Sequence, residues 1–135
     1  MCIAVHVPAE IEISEDVLRE CFRSNPDGAG IMYTDGENVY IQKGFMKADD
    51  FVAAFTKIPA KYDRSFHCRI ATSGKVEEGC THPFPITSDM KEMKNIKQVC
   101  KGAVAHNGII TWATPTKGRA EWYSDTMNFI SMILA

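Results

Sequence analysis

Cys2 places a thiol one residue from the start of the chain. Methionine aminopeptidase normally removes an initiator Met that precedes a small side chain, and its removal here leaves a thiol and an α-amine on one residue. The thiolate is the nucleophilic form. Free thiols ionise near ~8.5 and α-amines near ~7.7 to 8.0, so such an amine can accept the thiol proton close to neutral pH. Taken alone, Cys2 reads first as a small buried strand residue, since free cysteines are among the most buried side chains.

Three other segments carry groups that could hold a substrate. His67-Cys68-Arg69-Ile70-Ala71-Thr72-Ser73-Gly74 sets an Arg on an apolar strand just before a Thr and Gly turn. Strand alternation puts His67, Arg69 and Ala71 on one face and Cys68, Ile70 and Thr72 on the other. The planar guanidinium fork fits a carboxylate, either of a ligand or of a structural salt bridge. Ala105-His106-Asn107-Gly108-Ile109-Ile110 breaks two apolar stretches with Asn-Gly, which can aim a side-chain amide and a backbone N–H at one point, as an oxyanion requires, or can simply turn a hairpin. Ser124-Asp125-Thr126 opens the last apolar segment, where Asp125 either caps a helix or holds a ligand cation.

Other groupings carry less chemistry. His67 with Cys68, Cys80 with His82 and Cys100 with His106 suggest zinc, but none has the repeated Cys-x-x-Cys or His-x-x-x-His spacing of zinc modules, so neither a metal nor a cofactor is expected. His82-Pro83-Phe84-Pro85 reads as a rigid loop. Asp27-Gly28-Ala29-Gly30 lacks the Gly and Lys spacing of Walker and dinucleotide motifs.

The elements that must position these groups follow from periodicity and breakers. Cys2 to Val7 reads as a buried strand ended by Pro8. Ser14 as N-cap, Glu15 and Asp16 in a first turn, and Val17, Leu18, Cys21 and Phe22 as an apolar stripe predict a helix stopped by Asn25-Pro26. Asp27 to Gly30 reads as a turn, and Ile31–Thr34 with Val39–Gln42 as a hairpin tipped by Asp35-Gly36. Lys47 to Ile58 is a second helix and Ser65 to Ala71 a strand. Ser73 to Asn95 is a long loop with a short helix from Ser88. Val104 to Trp112 is a strand pair or a strand and turn, Thr114 to Arg119 is loop, and a last helix runs from Ser124, its Met residues packed in a core.

The chain's 135 residues make one domain, and 45% hydrophobic with 24% charged residues is a globular balance. A net charge of -2 gives no positive field for nucleic acid or anionic membrane, so neither is expected as a partner. The apolar runs fall short of the ~18 to 20 residues that span a bilayer, and the early Glu10, Glu12 and Glu15 leave no signal-peptide region. Five cysteines without a paired pattern fit a reducing cytoplasm.

In their order, Cys2, Asn25-Pro26-Asp27-Gly28-Ala29-Gly30-Ile31, His67-x-Arg69-x-Ala71-Thr72-x-Gly74, Thr81-His82-Pro83-Phe84, Val104 to Ile110 with Asn107-Gly108, and Ser124-Asp125-Thr126 resemble the class II glutamine amidotransferases across nearly the whole chain. That resemblance implies an α+β fold of the N-terminal nucleophile hydrolase type, a four-layer αββα sandwich of two antiparallel sheets. It implies hydrolysis of glutamine to glutamate and ammonia through a γ-glutamyl thioester on Cys2. Asn107 and Gly108 would bind the oxyanion, Arg69 the α-carboxylate and Asp125 the α-ammonium. Thr72 would line the pocket, with His82 and Asp27 as supports. The family's glutaminase domain continues well beyond the helix at Ser124, so this chain is expected to lack later strands and to meet an ammonia-accepting synthase or a second copy of itself. A catalytically silent relative serving as a protein-binding or regulatory module is the alternative.

Overall fold

The computed structural model describes residues 1–71, 75–118 and 122–135. Its first half is built by the local signals of the chain. Strand β1 runs Ile3–Val7. Helix α1, Glu15–Ser24, starts where the Ser14 hydroxyl accepts the Val17 N–H at 3.3 Å and carries Glu15 and Asp16 at the positive end of its dipole. It stops at Asn25, because Pro26 cannot continue the backbone ladder. Strands β2, Ala29–Thr34, and β3, Val39–Phe45, form the hairpin, whose turn is closed by Asp35 accepting the N–H groups of Glu37 and Asn38. Helix α2 spans Ala48–Lys57 and strand β4 spans Asp63–Cys68.

These strands and β6, Lys97–Cys100, form one antiparallel sheet in the order β1-β4-β2-β3-β6. Its register makes two unlike faces. Val5, Phe66 and Ile31 are cross-strand neighbours, as are Ile3, Cys68 and Ala29, and both rows join the core under α1 and α2 with Leu18, Phe22, Phe51 and Phe55. Each such side chain contributes roughly 1.5 to 3 kcal/mol when fully buried. One residue out of step, Ala4, His67, Gly30 and Lys43 form a row on the opposite face.

That second face receives a small ribbon, β5 (Phe84–Pro85) paired with β7 (Ala103–Val104). Helix α3, Met90–Met93, and helix α4, Asp125–Phe129, which runs on as a π-helical turn over Ile130–Leu134, close a second core of Phe84, Met93, Met127 and Ile130. The Lys43 ammonium crosses between the layers, lying 4.1 Å from the Phe84 ring centre and donating to the Pro83 and Met93 carbonyls. Gly30 permits the approach: a Cβ there would lie 1.7 Å from the His82 carbonyl oxygen. The fold is thus α+β, with a five-stranded antiparallel sheet, a two-stranded sheet and four α-helices among the described residues.

Several expectations change. The turn expected at Asp27 to Gly30 is already strand from Ala29, and the strand expected to reach Ala71 ends at Cys68. Strand β6 was not anticipated. Of the strand pair, or strand and turn, expected over Val104 to Trp112, only Val104 lies in a strand, the end of β7; the backbone is then irregular until a 3-10 turn at Thr111–Ala113.

Candidate active site

Cys2 sits just before β1, half-buried, beside the chain leaving the end of β4. Its thiol donates to the Ile70 carbonyl at 3.3 Å, and its sulfur accepts the Ile70 N–H at 3.2 Å. The sulfur is therefore held by the backbone of Ile70, one residue past Arg69. The segment before β2 holds this stretch: Asp27 N–H donates to the Arg69 carbonyl, Arg69 N–H donates to the Gly28 carbonyl, and the Asp27 carboxylate accepts the Ala71 N–H at 3.0 Å. Asn25 ties the start of the chain to β4, donating to the Met1 carbonyl at 2.6 Å and to the Cys68 carbonyl at 3.3 Å.

A small cleft collects Cys2, Arg69, His82, Gly108, Asp125 and Thr126. Its volume, about 20 Å³, suits one water molecule. A groove of about 460 Å³ beside α2 is far roomier, yet its Tyr33, Gln42, Lys57 and Lys97 include no nucleophile. Arg69 is buried in the small cleft and donates to the Lys75 carbonyl at 2.6 Å. Burial lowers the pKa of its guanidinium, opposed by Cys80, Cys2, Asp27 and Glu77. A buried cation of this kind in a cleft is suited to an anionic ligand group.

Asp125 is not the cap of α4, the first of the two roles open to it in the sequence. Ser124 is the N-cap of α4, its hydroxyl accepting the Met127 N–H, while the Asp125 carboxylate accepts the Ile110 N–H at 2.5 Å and faces the cleft. Gly108 lines the cleft with φ at +130°, a backbone geometry that favours glycine. Asn107 is exposed and is not among the lining residues. Thr72 lies outside the described residues.

His82 is buried in the wall of the cleft, and its ring stacks on His67 at 4.2 Å between centres. His82 Nδ1 accepts the His106 N–H at 3.1 Å, and His67 Nε2 lies 3.1 Å from the His106 carbonyl, which can only accept, so that nitrogen carries the proton. Burial lowers His67 to about 4 and His82 well below the ordinary histidine range. The sequence offered His67 and His106 as metal candidates and as neighbours of Arg69 and Asn107, and gave neither a role of its own at the cleft. Among the described residues no group of three or more His, Cys, Asp or Glu could hold a metal ion. The five cysteines are free thiols, and among the described residues no helix is long and apolar enough to cross a membrane.

Searches against protein-family models, curated proteins and solved structures find no match to this chain.

Proposed function

We propose that this protein is a glutamine amidohydrolase of the class II amidotransferase type, working in the cytoplasm. The observation that carries this reading is the convergence of Cys2, Arg69, Gly108 and Asp125 on one cleft, although they are spread over nearly the whole chain. A nucleophile, an oxyanion donor, a cation and an anion within one cleft suit a free amino acid bearing a carboxamide.

In this reading Met1, which is 89% exposed and so open to an aminopeptidase, is removed. The Cys2 α-amine takes the thiol proton, and the sulfur attacks the side-chain carboxamide carbon of glutamine. The Ile70 N–H, already on the sulfur, remains as a donor to its anionic form. The Gly108 N–H stabilises the tetrahedral oxyanion, and Asn107 turns its amide inward as the second donor; one such donor typically contributes ~3 to 4 kcal/mol. The α-ammonium of Cys2 protonates the departing nitrogen, the C–N bond breaks and ammonia leaves. Water then cleaves the thioester to release glutamate and restore the thiol. Arg69 and Asp125 hold the α-carboxylate and α-ammonium of the substrate. Ammonia released here would pass to a separate synthase.

The test is intact mass with and without a diazo-ketone glutamine analogue. Loss of Met1 and one adduct, absent in Cys2→Ala, is expected. A second reading is a silent relative acting as a binding module, favoured by a cleft of about 20 Å³ and by the exposed Met132, Ile133 and Leu134. Retained Met1 without an adduct would establish that reading instead. Arg69→Lys should raise the KM for glutamine by about tenfold and change kcat little, because the bidentate grip is lost; an unchanged KM removes Arg69 from this role.

A further inference from the structure

The segment that carries Asn107 and Gly108 belongs to no strand or helix, yet its backbone is held on both sides of His106. The His106 N–H belongs to the peptide before that residue and is taken by His82 Nδ1; the His106 carbonyl belongs to the peptide after it and is taken by His67 Nε2. Two successive peptide planes are therefore fixed. Only the backbone torsions of Asn107 stand between the second plane and the Gly108 N–H.

We infer that the stacked pair His67 and His82 is a positioning device that presets the oxyanion donors at Asn107 and Gly108 by gripping both peptides of His106. This inference rests on the glutaminase reading for its catalytic meaning, and on the hydrogen bonds alone for its geometry. The pair is itself rigidly seated. His67 is fully buried on β4, between Ala4 and Gly30 in the sheet register, and the ring stacking leaves His82 little freedom to tilt. Gly30 lets the His82 backbone lie against the sheet, where a Cβ would strike its carbonyl.

The grip has a cost that a purely space-filling ring would avoid. His67 Nδ1 is buried with no hydrogen-bond partner among the described residues, while the ring keeps Nε2 on the His106 carbonyl. Buried polar atoms without partners are rare and unfavourable, and where one is kept the bond made by the other end of the ring is the compensating feature. The clamp also demands unlike tautomer roles. His82 must present a bare Nδ1 and His67 a protonated Nε2.

That asymmetry makes the inference testable with amide isosteres. Asparagine places a polar atom near the Nδ1 position and glutamine near the Nε2 position. His82→Asn and His67→Gln should therefore keep the grip, whereas His82→Gln and His67→Asn should lose it. The losing pair should lower kcat for glutamine by about 100-fold, the scale expected when reacting groups shift by about 1 Å, with little change in KM. Alkylation of Cys2 by iodoacetamide, followed by peptide mass, should keep its rate in all four, because that displacement forms no oxyanion. In 15N-labelled protein the His106 amide should be protected from exchange in the wild type and in the keeping pair and should lose that protection in the losing pair.

Equal effects of Asn and Gln at each position, or a His106 amide as open to exchange as a solvent-exposed one, would overturn the clamp. A wild-type protein inert towards glutamine and unlabelled by the diazo-ketone at Cys2 would overturn the glutaminase reading instead. The His106 exchange pattern would then still decide the clamp.

Discussion

Protonation of His82 would remove the lone pair that accepts the His106 N–H, and protonation of His67 would bury a charge, so the pair gives the fold a pH dependence of definite sign. Burial is the main cause that lowers both; the His106 carbonyl opposes it at His67, while Arg69 and His106 near both rings, and Lys43 near His82, oppose a further positive charge. In an unfolded chain both imidazoles take up protons near pH ~6.5. In the folded protein His67 waits until about pH 4, and His82 is likewise held well below the ordinary histidine range. Between those values the unfolded state binds more protons, so stability is full above pH ~6.5 and falls as the pH drops towards 4. For His67 alone the loss over that window is about 3 kcal/mol. Below its folded pKa it contributes no further loss. Urea unfolding at pH 7 and pH 4.5 should show the decline, and His67→Gln, which keeps a donor but cannot titrate, should shrink it. An equal decline in the variant would mean that other groups carry the acid sensitivity.

The meeting of β2 with the His82 loop depends on a missing side chain. Gly30→Ala would drive a methyl into the His82 carbonyl, and overpacking of this kind costs about 1 to 3 kcal/mol or more. The expected result is a lower Tm together with exchange at the His106 amide, because the loop that bears His82 is pushed from the sheet; a Tm within error of the wild type would show that the loop can slide without harm. How far the elements were legible in the sequence follows from the same local physics. Helix α1 was legible because Leu18 and Phe22 recur at helical spacing between the Ser14 N-cap and Pro26, and α2 because Phe51 and Phe55 do so ahead of Pro59. Strand β6 was not, since Lys97 to Cys100 is an edge strand that leaves Val99 58% exposed and shows little apolar alternation. The apolar flanks of Asn107-Gly108 imitate a hairpin. Instead, the backbone groups of His106 are claimed by two imidazoles rather than by a neighbouring strand. Cys2, Arg69, Gly108 and Asp125 were legible by residue type, whereas His67 was not, because its meaning lies in contacts between distant segments.

The described residues form two cores of unequal size, and the cleft lies along their seam. The first packs α1 and α2 on β1, β2, β3 and β4 with Leu18, Ile31, Phe51, Phe55 and Phe66 at its centre; the second rests on Phe84, Met93, Met127 and Ile130. Gly108, Asp125 and Thr126 belong to the smaller half, while Cys2 and Arg69 belong to the larger. A cleft of about 20 Å³ is smaller than an amino acid, parting of these halves would enlarge it, and the smaller core is the one whose opening exposes less apolar surface. Amide exchange should therefore be slowest in β1, β2 and β4, and faster from Ala105 to Ala113 and through α4. Met127→Ala, which empties a fully buried site, should cost about 2 to 4 kcal/mol and should accelerate exchange in the smaller half selectively. If glutamine enters by this opening, the same variant should also raise the rate at which the diazo-ketone labels Cys2, since a larger open fraction admits the reagent more often. Uniform exchange across both halves would mean that the protein opens only by unfolding as a whole, and labelling at Cys2 would then have to follow the global stability rather than the packing around Met127.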